Sequence, residues 1–110
     1  VTAKTVDHGP NCIACHDPEQ ARGLIAAERA GLDSEAACAA EHRKAGEDAR
    51  QRYLTPGLTD EEFMQAQTLM RRELGTANAI QQGVNFQRAH LDRVEAAHPA
   101  LRAQEGANYV

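Results

Sequence analysis

A chain of 110 residues is long enough for one domain with a single modest core and too short for two. Sixteen acidic against twelve basic residues leave a net charge of −4 with no basic cluster, which argues against nucleic acid as a partner, since phosphate binding needs a concentrated positive surface. No apolar stretch approaches the roughly twenty residues needed to span a bilayer, so no transmembrane segment is expected.

The material available for a core is unusual: 21 alanines against eight leucines, two phenylalanines, two tyrosines and no tryptophan. Such side chains bury little area each. Either the fold is marginal, or a large apolar body that is not an amino acid completes its middle.

In chain order, the N-terminal VTAKTVDHGP lacks the apolar centre of a secretion signal. Asp17 is placed to cap a helix whose first residue is Pro18, with Gln20 completing a capping box and Gly31 offering a stop after Ala30. Asp33 or Ser34 can cap a second helix, which runs to about Tyr53 and is broken by LTPGL. Thr59 and Glu62 form the next capping box, opening a third helix that Gly75 closes. A fourth runs from about Asn78 to His98, weakened by Gly83 and interrupted at Pro99. No segment alternates as a strand does. The expectation is an all-α fold, a small antiparallel bundle of about four helices forming one domain over residues 1–110.

Residues 11–19, NCIACHDPE, hold two of the three cysteines, with a histidine directly after the second. Cys12, Cys15 and His16 spell C-x-x-C-H, and here the chain resembles the c-type cytochromes, whose haem attachment sequence this is. The resemblance covers only those residues. It implies one haem c joined through thioethers from Cys12 and Cys15, with His16 as proximal iron ligand. It implies an electron carrier cycling between Fe(III) and Fe(II) rather than an enzyme, meeting redox partner proteins. Because such attachment takes place outside an energy-conserving membrane, it also implies a periplasmic or extracellular bacterial protein whose signal peptide has been removed. A covalent porphyrin would be the missing apolar body, closed in by alanine-rich helix faces. No subfamily follows: only eleven residues precede Cys12, and neither Met64 nor Met70 is followed by proline.

Other uses of these cysteines are weaker. A thioredoxin-like C-x-x-C needs a βαβ setting, which is not visible. Cys12, Cys15, Cys38 and His42 have the ligand types and pair spacings of a structural zinc site, but the last two fall inside a long expected helix. A Cys12–Cys15 disulfide is the plainest alternative. Cys38, alone among alanines, reads as a small buried residue.

The sixth iron ligand has no motif. Cys38, His42, Ala45, Ala49 and Tyr53 share one helical stripe, and Val84, Leu91, Val94, His98 and Leu101 another, with His90 at the flank of the latter. Met70 shares a stripe with Phe63 and Leu74, beside Met64. Folding four helices back and forth at about 1.5 Å per residue brings His90 and Met64 level with His16, sets His42 and Met70 under two turns above, and drops His98 more than two turns below. His42 is the preferred ligand on face, ligand strength and small neighbours, ahead of His90, Met70, Met64, His98 and His8. Two further functional readings stand beside electron transfer. One is ligand binding or sensing at five-coordinate iron. The other is a haem subunit of a larger complex or filament, built with other subunits or with copies of itself.

Overall fold

The structure is a computed structural model and describes residues 12–101; His8, Pro10 and the rest of the N-terminal segment lie outside the described residues. Three helices form: α1 (Ile13–His16), α2 (Pro18–Tyr53) and α3 (Asp60–Ala97), with no strand among the described residues. The fold is all-α as expected, but the bundle of about four helices is corrected to two long helices and one short one.

The correction lies at Gly31 and Gly75, which pass through helices instead of ending them. A glycine stop needs a left-handed residue, and among the described residues only Gly57 has positive φ. A glycine inside a helix costs only about 1 kcal/mol relative to alanine, so burial of neighbours such as Leu32 overrides it.

The cap at Thr59 forms as expected, whereas at Asp17 only half of the expected box forms, because the Asp17 N–H donates to the Ile13 carbonyl. The Gln20 N–H donates to Asp17 Oδ1 at 3.1 Å, opening α2. At the start of α3 the capping box is reciprocal: the Glu62 N–H donates to Thr59 Oγ1 at 3.1 Å, and the Thr59 N–H donates to Glu62 Oε1 at 3.0 Å. Between the long helices the chain turns at Pro56-Gly57, where Gly57 takes φ +91°, and the Tyr53 and Phe63 rings stack at 4.5 Å across the two helix ends.

Thr59→Ala is expected to lower unfolding free energy by about 1 kcal/mol in urea titrations. The Thr59 backbone and side-chain bonds, helped by Arg52, hold the Glu62 carboxyl below its ordinary range. A carboxyl depressed on folding contributes stability above its unfolded pKa and loses it as pH falls through the folded one. The gap between the wild type and Thr59→Ala should therefore be full at neutral pH and narrow under acid conditions.

Contacts divide the chain into two compact units. In the unit Gly31–Gln87, α2 buries Leu32, Ala39, Gly46 and Ala49, while α3 buries Ala66, Ala77 and Val84. The helices run antiparallel there, since Arg43 Nη1 donates to Asn78 Oδ1 at 3.3 Å and Tyr53 meets Phe63. Seven-residue spacing governs both faces: Leu32, Ala39, Gly46, Tyr53, and Phe63, Met70, Ala77, Val84. Alanine and glycine dominate because the backbones approach closely. Cys38, expected on the buried face, is exposed, and Ala39 takes the interior position.

The other unit contains residues 12–30 and 88–101. Its core is Ala14, Ala21 and Leu101, with Cys12, Ile25 and Val94 packed against it. Arg29 ties α2 to α3 by pairing with Asp92 at 2.8 Å and with Glu95. Arg22 Nη1 donates to the Ala100 carbonyl at 3.0 Å. Among the described residues no helix is long and apolar enough to cross a membrane.

Candidate metal centre

The cysteine motif folds as a single turn. The Cys12 carbonyl accepts from the N–H groups of Cys15 and His16, both at 3.1 Å, so α1 begins at the first cysteine. Ala14 points into the core while Cys15 and His16 are exposed and Cys12 is half-buried. All three cysteines are unbridged.

His98 completes the arrangement. It follows the last residue of α3 and continues the heptad line of Val84 and Leu91 into this unit. Its Nε2 stands 3.5 Å from Cys12 Sγ, and the ligand atoms of Cys12, Cys15 and His98 all lie within 4.8 Å of one another. Its Nδ1–H donates to the Val94 carbonyl at 2.8 Å. That bond fixes the ring and leaves Nε2 as the nitrogen turned toward sulfur, the arrangement that orients metal-binding histidines.

The two thiols are inequivalent. Partial burial pushes the Cys12 thiol up, but hydrogen bonds from the Cys15 backbone and side chain and from the Ala14 backbone outweigh it, so its pKa falls below the ordinary thiol value. Burial and the neighbouring Cys12 sulfur move Cys15 the other way. Cys12 is thus the readier thiolate of the pair, and thiolate is the form that adds to electrophiles and binds metals.

The remaining expected ligands are placed as follows. His42 belongs to the unit Gly31–Gln87, where its Nδ1 pairs with Glu73 Oε2. Cys38 belongs to that unit as well, and neither residue is part of the Cys12, Cys15 and His98 group. His90 and Met64 are exposed, and Met70 is half-buried. His8 lies outside the described residues.

The residues of the unit formed by 12–30 and 88–101 fit a covalent haem in three respects. Both thiols of the motif are unbridged, and Cys15 and His16 are solvent-accessible. The side chains packed with Cys12 are small or aliphatic, as contact with a porphyrin face requires. Arg22 Nε is buried without a hydrogen-bond partner, and a propionate carboxylate is the kind of acceptor that would satisfy it.

Comparison of the chain with protein-family models, with characterised proteins and with solved structures finds no match.

Proposed function

We propose that this chain carries one haem c, bonded through Cys12 and Cys15 and ligated by His16, and that it serves as an electron carrier. The observation that carries the reading is the C-x-x-C-H motif presented as a single turn, with both thiols unbridged beside an apolar cluster and an imidazole. Each thiol would add its S–H across one vinyl double bond, sulfur to one carbon and hydrogen to the other, so nothing is expelled and no oxidant is consumed. His16 follows Cys15 directly and is exposed, and it is the imidazole that would hold the iron. The bound iron supplies a one-electron couple between Fe(III) and Fe(II). Cys12, Cys15 and His16 would hold the group beside the apolar cluster of Ala14, Ala21 and Leu101, and Cys15 and His16 are exposed to redox partner proteins. Attachment of this kind places the protein in the periplasm or outside a bacterial cell.

The test is the intact mass and absorption spectrum of protein produced with a haem-attachment system. The expected result is a mass increased by one haem, and a haem spectrum that survives denaturation and changes on reduction. A colourless chain of unmodified mass would reject the reading.

A second reading is favoured by one specific distance. Zinc holds thiolate at about 2.3 Å and imidazole at about 2.0–2.1 Å, which puts adjacent ligand atoms of a tetrahedron about 3.6 Å apart. Cys12 Sγ and His98 Nε2 are separated by 3.5 Å. A soft metal ion held by Cys12, Cys15 and His98 would leave its fourth position to water or another ligand. Stoichiometric zinc in the purified, colourless protein would select this reading over haem.

A further inference from the structure

We infer that the haem-free chain binds a zinc ion through Cys12, Cys15 and His98, and that this ion holds the two attachment thiols until haem takes its place. The inference rests on the haem reading and gives a task to His98, which that reading does not use. Three observations carry it. First, the ligand atoms of Cys12, Cys15 and His98 all lie within 4.8 Å of one another, and His98 Nε2 is 3.5 Å from Cys12 Sγ, against about 3.6 Å for the sulfur-to-nitrogen edge of a zinc tetrahedron. Second, the ring is seated by the hydrogen bond from its Nδ1 to the Val94 carbonyl at 2.8 Å, the outer contact that orients metal-binding histidines. Third, all three donors belong to one unit, the thiols at α1 and the imidazole just past α3, so none has to be brought from Gly31–Gln87.

The donor set suits an ion that leaves. Structural zinc sites are closed by four protein ligands, whereas this group has three, and His16, next to Cys15, is not among them. Cys15 is exposed, so one side of the group faces solvent. Zinc takes sulfur as thiolate, and its binding releases the two thiol protons. Attachment of haem reverses this: Zn(II) departs, the two sulfurs take two protons back, and each S–H adds across one vinyl double bond, with no oxidant consumed. A thioether sulfur no longer offers a thiolate, so the two occupancies exclude each other. Cys38 and His42, whose spacings in sequence match a zinc site with Cys12 and Cys15, belong to the unit Gly31–Gln87 and are not part of the group.

The experiment uses the full chain produced without a haem-attachment system, titrated with cobalt(II), whose absorption reports thiolate coordination, and then with zinc(II). One equivalent of cobalt should give a thiolate-to-metal band, and zinc should displace it. His98→Ala should weaken zinc at least as much as losing a partner behind a ligand does, about 10- to 100-fold. His98→Cys should keep the ion, which a histidine needed only for packing would not allow, and Cys38→Ser and His42→Ala should bind as the wild type does. Haem is then offered with the attachment system. Zinc should slow attachment to the wild type and a chelator should restore it, whereas His98→Ala should take haem at a rate nearly indifferent to the same zinc. If the wild type binds neither cobalt nor zinc, or if His98→Ala binds them as tightly, the inference is overturned, while haem attachment keeps the haem reading. Zinc held through His98 by a chain that takes no haem even after chelation would overturn both, because zinc would then be the resident ion.

Discussion

Replacing Cys12 and Cys15 together by serine is expected to give a colourless chain whose intact mass is that of the polypeptide alone. Serine keeps the size of the side chain, but a hydroxyl is a far poorer nucleophile than a thiol and a poor ligand for soft metals. The helical content should change little. Cys15 is exposed, and although Cys12 touches the Ala14, Ala21 and Leu101 cluster, it is only half-buried. The single variants should separate the two sulfurs. Cys15→Ser should retain a single thioether through Cys12, the readier thiolate, whereas Cys12→Ser should load more slowly and loosen the packing beneath α1. Mass after denaturation reads the attachment, and circular dichroism reads the fold. Covalent haem surviving in the double variant would reject Cys12 and Cys15 as its anchors. Stoichiometric zinc present in a wild type that never carried haem, and lost in the double variant, would instead support the three-ligand metal reading.

What the sequence made legible divides along a physical line. Features written into a few adjacent residues were readable: the caps at Asp17 and Thr59 and the break at LTPGL depend on local hydrogen bonding or on spacing within one turn, whereas the helical turn α1 through the cysteine motif was not expected. The seam containing Val84, Leu91, Val94, His98 and Leu101 was readable too, because burial repeats along a helix face. Helix continuity was not. Gly31 and Gly75 resemble stops, yet their cost of about 1 kcal/mol each is smaller than what seam burial returns, and no local rule weighs the two. Helix continuity also decides where His98 falls. Heights measured along four folded-back helices put His98 far from the motif, whereas one reversal at Pro56-Gly57 brings it to Cys12. A signal was available in the unbroken seven-residue series Phe63, Met70, Ala77, Val84, Leu91 and His98, which crosses Gly75 without a phase shift. Such continuity is what one long helix produces. Two helices joined by a turn would have had to reset it.

One substitution should carry opposite signs at different glycines. At Gly46 a Cβ would lie 2.5 Å from Leu74 Cδ2, 2.6 Å from its Cγ and 3.1 Å from its backbone N. The Leu74 side chain can rotate only in part, being half-buried, and its backbone N cannot retreat without moving α3. Gly46→Ala should therefore lose about 1–3 kcal/mol to overpacking, offset by about 1 kcal/mol of helix propensity, for a net destabilisation. Gly46→Val adds two more methyl groups at the same point with little propensity gain, and its loss should exceed 3 kcal/mol, about the upper end of ordinary overpacking. At Gly31 and Gly75 a Cβ meets nothing within 4 Å, so alanine there should stabilise by roughly 0.4–1 kcal/mol. Urea unfolding of the four variants, followed by helical circular dichroism, reads all of these on one scale. If Gly46→Ala stabilised the protein as much as Gly31→Ala, the helices could not approach as closely as the alanine- and glycine-lined seam requires. Stabilisation at Gly31 together with loss at Gly46 would locate the close contact that lets so small a set of side chains hold two long helices together.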